Sequence, residues 1–328
     1  MYTDIPFWLA VLFIVGGLAA LAWSSDRFVM GAAALAKNLG VSAFVVGMVV
    51  VGFGTSAPEL LVSTFSGLSG HTSLSLGNAY GSCIFNVAGI LGVAALVSPL
   101  VVKPTIRTVA VPLLLGIAAI SSLMLRDGEL SRQDSFLLLA VFAVVMPLYC
   151  RFDRPGGVEA EDSAPRIKAL TAVVWTLVGL VTMVGASHLL VWGAVDVAHK
   201  LGVSDLVIGL TVVAIGTSLP ELASAIAAAR RRESELVLGN IVGSNLFNML
   251  AVVGIAGAIS PAADFSRYLV ARDLPILFLM TVSIYVFGRN RRDRRASGVV
   301  TRGEGAIWTV AFAAYMALTI WQEVFQHG

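Results

Sequence analysis

Long apolar stretches recur along the whole chain, and short polar segments separate them. Many of these stretches reach the roughly 20 residues that an α-helix needs to cross a bilayer. Stretches such as 113–124 lack the polar residue at every second position that a membrane β-barrel strand would show. The pattern predicts an all-α membrane protein with ten transmembrane helices, at about 6–36, 41–66, 73–98, 105–125, 134–150, 169–199, 203–228, 235–260, 268–288 and 305–324.

The composition agrees with this pattern, because 57% of the residues are hydrophobic and only 13% are charged. Soluble domains carry about 25% charged residues, so a water-soluble fold is excluded. The larger polar breaks, 151–168 and 289–305, are expected to be solvated linkers. With both termini outside, 17 Lys and Arg fall in inner loops and 5 in outer loops, which is the expected bias. We expect an integral membrane protein in contact with lipid, with no nucleic acid partner.

The chain contains an internal repeat. A shift of 162 positions lays 54–60 on 216–222 and 77–86 on 239–248, and 15 of the 39 positions from 54 to 92 are identical. This predicts two halves, 1–151 and 168–328, joined by a cytoplasmic linker at 152–167. Because each half holds five spans, an odd number, the second half must enter the membrane upside down, which is the inverted-repeat plan of secondary transporters.

Two carboxylates stand out within the predicted spans. Glu59 and Glu221 occupy matching positions in the two copies, whereas the other acidic residues fall in loops or near span ends. An ionised side chain at the bilayer centre costs about 2.5 to 3.5 kcal/mol on insertion scales, so such a residue suggests function. One alternative is a pair of protonated or hydrogen-bonded glutamates that only hold helices together. A bound cation would instead offset the cost of both charges.

Each glutamate directly follows a proline. Pro58 and Pro220 lack an N–H and crowd the carbonyl four residues earlier, that of Gly54 or Gly216. We expect the second and seventh helices to break here, at the Gly-Thr-Ser-x-Pro-Glu motifs, with the Gly-Thr-Ser segment unwound around a cavity. A simple proline kink is the alternative.

Polar residues also recur at four-residue steps in the next span of each half, which places each set on one helix face. Asparagine and serine residues alternate there: Asn78, Ser82 and Asn86, then Asn240, Ser244 and Asn248. Carboxylate, amide and hydroxyl oxygens in this number suit Ca²⁺, which takes 6 to 8 oxygen ligands, and argue against zinc or copper. No cofactor is expected beyond the transported ions.

These duplicated motifs resemble the cation/Ca²⁺ exchanger superfamily, in particular its prokaryotic Na⁺/Ca²⁺ exchanger branch. The resemblance implies a secondary antiporter that exchanges Ca²⁺ for Na⁺ by alternating access, with long first and sixth spans that slide against the rest. It implies that Glu59 and Glu221 bind the two ions in turn. Inorganic cations are thus the expected partners, and the expected location is a bacterial or archaeal inner membrane. The same resemblance implies oxygen ligands from Thr55, Ser56, Thr217, Ser218, Ser82, Asn86, Ser244 and Asn248.

Two positions depart from the resemblance. Asn248 stands where the K⁺-dependent branch carries Asp, so K⁺ cotransport is not expected. Cys83 stands where the second copy has Asn245. Alternative functions are a Ca²⁺/H⁺ antiporter and, more distantly, a cation channel. An enzyme is not expected, because no His-Glu-x-x-His motif or nucleophile with an obvious histidine partner occurs.

Overall fold

A computed structural model describes residues 5–70, 72–152, 167–202, 214–263, 265, 267–290, 293 and 296–326. Within those ranges, eight helices are long and apolar enough to cross a membrane, and a bent pair forms a ninth candidate span. The expected span at 203–228 is described only from residue 214, and the expected linker at 152–167 lies outside the described residues except at its two ends.

The helices are α1 (Phe7–Leu39), α2 (Ala43–Thr55), α3 (Ala57–Leu68), α4 (Thr72–Val97), α5 (Ile106–Met124), α6 (Arg132–Phe152), α7 (Ala169–Lys200), α8 (Ala214–Thr217), α9 (Leu219–Arg230), α10 (Ser234–Ile259), α11 (Leu269–Phe287) and α12 (Arg302–Gln326).

The second span is interrupted at a single residue. Helix α2 ends at Thr55 and α3 begins at Ala57, with their axes bent by 46°. Ser56 lies between them with φ −81° and ψ 6°, and Ser218 has φ −94° and ψ 13° between α8 and α9. The interruption is narrower than the unwound Gly-Thr-Ser segment expected from the sequence. The reason is that Ser56 N–H still donates to the Gly52 carbonyl at 3.1 Å, so the turn before the proline stays helical.

Helices α4 and α10 form the buried centre of the molecule and run antiparallel. In an 18-residue stretch of each, 78% of α4 and 94% of α10 is buried. Thr72, where α4 begins, donates to the carbonyl of Ser260 just beyond α10, whereas Ser234, where α10 begins, accepts from Val101 N–H just beyond α4. Both helices contain a π-helical turn, Phe85–Ile90 and Phe247–Val252, at positions 162 residues apart. Such turns are frequent at functional sites.

Helices α1 and α7 are the longest and pack against each other. Their 33 and 32 residues extend about 50 Å at 1.5 Å per residue, well beyond a hydrocarbon core of about 30 Å, so they are long enough to cross it at a tilt. Glycines bring the two backbones together: a Cβ added at Gly179 would lie 2.6 Å from Phe28 N, and one at Gly31 would lie 2.6 Å from Thr176 N. Close approach through small residues is the usual way that membrane helices associate.

A short β-ribbon departs from the all-α expectation. Strand β1 (Leu100–Val102) pairs antiparallel with β2 (Gly298–Val300), with Leu100 opposite Val300. Strand β2 lies in the segment expected to be only a solvated linker. Each strand buries its first and last residues and exposes the middle one, which is the period of a half-buried strand. The ribbon marks the face where α4 ends and α10 begins, while the Leu130–Ala262 bridge marks the opposite face.

Candidate functional site

The two glutamates meet at the centre of the molecule through reciprocal hydrogen bonds. The Ser56 hydroxyl donates to Glu221 Oε1 at 3.1 Å, and the Ser218 hydroxyl donates to Glu59 Oε1 at 2.8 Å. Each serine lies three residues before the glutamate of its own copy and binds the glutamate of the other copy. Neither carboxylate faces lipid, because Glu59 is 0% and Glu221 1% exposed.

Each carboxylate keeps one oxygen without a partner. The Oε2 atoms of Glu59 and Glu221 are buried and make no hydrogen bond in the part of the chain that the structure describes. No Lys, Arg or His in that part forms an ion pair with either carboxylate. A buried charge without a partner is costly, so each group needs a cation or a proton.

Hydroxyl and amide side chains form a hydrogen-bonded network on the Glu221 side of the site. The Thr55 hydroxyl donates to the Val51 carbonyl at 3.0 Å and lies 3.2 Å from Asn240 Oδ1. The amide nitrogen of Asn240 donates to the Ser224 hydroxyl at 3.0 Å. Ser244 lies 3.5 Å from the same Asn240 oxygen. Asn240 is therefore committed to neighbouring side chains, which suits a positioning role beside the carboxylates.

Ser82 brings α4 to the carboxylates. Its hydroxyl lies 3.3 Å from that of Ser218, which donates to Glu59. Asn78, one turn earlier on α4, donates to the Ser63 hydroxyl at 3.3 Å. Among the described residues, no hydrogen bond joins Asn78 to another predicted ligand. Thr217 is half-buried where α8 ends.

The asparagines of the π-helical turns lie in unlike surroundings. Asn86 donates to Asn245 Oδ1 at 2.9 Å and keeps its own buried Oδ1 free of protein hydrogen bonds in the described structure. Both amide atoms of Asn248 are buried without such a bond to the described residues, and the Cys83 thiol lies beside it. Cys83 and Asn245 face each other: Asn245 Nδ2 donates to the Cys83 carbonyl at 3.4 Å. Because Cys83 stands where the other copy has Asn245, Asn248 lacks, among the described residues, the amide partner that Asn86 has.

Two contributors were not singled out from the sequence as site residues. Asn245 orients Asn86, and the 162-residue shift could have identified it, since it aligns with Cys83, where the two copies differ in polarity. Ser187 on α7 donates to the carbonyl of Gly216 at 2.9 Å. That carbonyl is the one that Pro220 cannot bond, so α7 satisfies a group that the proline leaves open. No sequence pattern marks Ser187.

The assembled groups offer buried oxygen ligands. Among the described residues, no group of three or more His, Cys, Asp or Glu side chains could hold a metal ion. The site consists of two carboxylates with serine hydroxyls and asparagine carbonyls around them. Such hard ligands suit Ca²⁺ or Na⁺.

Comparison with known proteins agrees with this chemistry. The family "Sodium/calcium exchanger protein" matches residues 9–149 and 171–321. CaxA of Alkalimonas amylolytica is 37% identical, with 94% of this chain and 98% of that protein covered. Sodium/calcium exchanger MaX1 of Methanosarcina acetivorans is 28% identical, with coverage of 94% and 97%.

A solved structure of the sodium-calcium exchanger NCX_Mj superposes with a TM-score of 0.82 at 28% identity, and covers 94% of this chain and 98% of that one. The fold is thus the membrane-spanning helical fold of an ion exchanger, and the relatives are transporters, not enzymes. The chain belongs to the sodium/calcium exchanger protein family.

Proposed function

We propose that the chain is a secondary antiporter that exchanges Ca²⁺ for Na⁺ across the inner membrane by alternating access. One observation carries the proposal. Ser56 of the first copy hydrogen-bonds Glu221 of the second, Ser218 of the second hydrogen-bonds Glu59 of the first, and each glutamate keeps a buried oxygen free of hydrogen bonds within the described structure. Two carboxylates balance the charge of one Ca²⁺. When Ca²⁺ leaves, Na⁺ ions take its place, because empty carboxylates would be left uncompensated.

The proposal includes two inverted halves of five spans each, 1–151 and 168–328, with the linker 152–167 in the cytoplasm and both termini outside. The antiparallel α4 and α10, with π-helical turns at matching positions, support it. The site lies where the halves meet, as in other transporters built from inverted repeats. The proposed ligands are the two glutamates with Ser56, Ser218, Ser82, Asn86 and Asn248, supported by Thr55, Thr217, Ser244, Asn240 and Asn78.

The coupling ion is identified by measuring ⁴⁵Ca²⁺ uptake into proteoliposomes that contain the purified protein. Vesicles loaded with Na⁺ and diluted into Na⁺-free medium should take up ⁴⁵Ca²⁺, and dissipating the Na⁺ gradient should abolish uptake. A pH gradient without Na⁺ should give the uptake of protein-free vesicles. Uptake that follows the pH gradient and ignores Na⁺ would identify a Ca²⁺/H⁺ antiporter, since buried carboxylates can also carry protons. Uptake that needs no counter-ion would identify a channel.

A further inference from the structure

An arginine-lined pocket lies on the face of the molecule that carries the β-ribbon. It has a volume of about 540 Å³ and opens where the chain leaves α4 and α9 and enters α12. Arg230, Arg232 and Arg302 line it with exposed side chains, and no acidic residue is among the described lining residues. Their neighbour Arg231 is engaged elsewhere, since it pairs with Asp26 at 2.6 Å. The pocket therefore concentrates three positive charges.

The pocket lies at the boundary between lipid and water. Arg302 begins α12, and five and eight residues later Ile307 and Val310 are 57% and 67% exposed. At 1.5 Å per residue, these apolar side chains begin only about 8 Å deeper along the helix. Leu96, next to the pocket residue Val97, is 39% exposed. An anion bound by the arginines would be level with lipid headgroups, beside surface suited to acyl chains.

The internal repeat provides a comparison within the same molecule. The 162-residue shift lays Arg230, Arg231 and Arg232 on Leu68, Ser69 and Gly70, at the opposite face of the protein. There the ends of α3 and α10 correspond to the ends of α9 and α4 at the pocket, with Ser260 in place of Ser98. No arginine stands at the three matching positions. The packing of these helix ends therefore does not require the positive charges.

Arg232 also has a strained backbone. Its φ is +62°, and Gly70 at the matching position has φ +77°. Glycine adopts this left-handed conformation freely, whereas a residue with a Cβ is disfavoured there. Among the described residues, Arg232 is the one non-glycine residue with a positive φ. A charged side chain retained at a strained position suggests a functional role.

We propose that this pocket binds the phosphate of an anionic phospholipid headgroup from the leaflet that it faces. Arginine forms paired, charge-assisted hydrogen bonds to phosphate oxygens, and basic pockets at membrane surfaces recognise anionic headgroups. Free phosphate offers the same chemistry, but the exposed Leu96, Ile307 and Val310 favour the lipid. Bound lipid would join α4 of one half to α9 of the other.

The test measures retained lipid by native mass spectrometry of the whole protein purified from liposomes with equal phosphatidylglycerol and phosphatidylcholine. The wild type should retain phosphatidylglycerol preferentially. The triple variant R230Q/R232Q/R302Q should bind it about 100-fold more weakly, since each basic residue near an anionic surface contributes about one factor of five. The matched control R126Q/R132Q/R267Q removes the same charge from exposed positions on the opposite face and should retain the lipid.

Two further measurements test the same pocket if the triple variant folds poorly. Arg232→Gly relieves the backbone strain, so it should leave the melting temperature unchanged or raised and still lower phosphatidylglycerol retention. Inorganic phosphate added at millimolar concentration should not displace the lipid. Equal lipid loss in the control triple, full retention by Arg232→Gly, or displacement by inorganic phosphate would each overturn the proposal.

Discussion

At the scale of single residues, the two halves of the site differ at Cys83. A thiol is a weak hydrogen-bonding group, so it cannot hold Asn248 as the Asn245 amide holds Asn86. The glutamates, prolines and serines could be identified from the sequence because composition does not favour them inside apolar spans. The sequence could not predict which serine binds which glutamate. Each serine bonds the glutamate of the other copy, and that pairing depends on how the two copies pack in space.

Cys83→Asn should give Asn248 an amide partner and thereby orient its carbonyl toward the ion. A hydrogen bond contributes about 0.5 to 1.5 kcal/mol, so the apparent Km for Ca²⁺ should fall by about 2- to 10-fold. The measurement is the Ca²⁺ dependence of Na⁺-driven uptake. Cys83→Ser, which adds a hydroxyl of similar size without the amide, serves as the control. If both variants behave alike, the amide account of the asymmetry is wrong.

At the scale of helices, α1 and α7 contact the site differently in this structure. Ser187 on α7 donates to the Gly216 carbonyl at 2.9 Å, whereas Ser25, at the matching position of α1, donates to Ala22 within its own helix. Under the proposed alternating access the two halves exchange roles during transport and should exchange these bonds, so that Ser25 would bond Gly54 in the opposite state. The sequence could not reveal this difference, because both positions hold serine.

Ser187→Ala and Ser25→Ala should therefore shift the equilibrium between the two states in opposite directions. Each change removes the bond to the neighbouring span in one state and only a bond within the serine's own helix in the other, so the net shift is at most about 2- to 10-fold. The half-saturating Ca²⁺ concentration, measured separately at each face of oriented proteoliposomes, reports the shift. Shifts of the same sign in the two variants would contradict the exchange of bonds.

The contact between α1 and α7 gives a separate prediction about packing. Gly179→Ala places a methyl group 2.6 Å from the backbone of Phe28, and such overpacking costs about 1 to 3 kcal/mol. We expect a lower melting temperature and slower transport. Gly185→Ala on the same helix meets nothing within 4 Å and should be neutral or stabilising, because alanine favours the helix. Wild-type behaviour of Gly179→Ala would show that the helices are not closely packed there.

At the scale of the whole molecule, the span boundaries that fall within the described residues were predictable to within about three residues, because the thickness of the bilayer sets the length of each apolar stretch. The ribbon formed by β1 and β2 could not be predicted from the sequence, since its strands are three residues long and lie almost 200 residues apart. Local pattern carries no information about such distant pairing. The central pair of helices was predictable from the repeat, because duplicated polar columns at helical spacing need a shared buried environment.

The most direct test of the shared site compares Na⁺-driven ⁴⁵Ca²⁺ uptake by Glu59→Gln, Glu221→Gln and the wild type, with Glu129→Gln on an exposed loop as the control. Outer-shell partners of a metal contribute about 10- to 100-fold, so loss of either direct ligand should lower uptake by at least about 100-fold. The control should transport like the wild type. Both glutamate variants should fail equally, because the ion needs both halves. Wild-type uptake by either variant, in a protein that folds normally, would contradict the shared cation site.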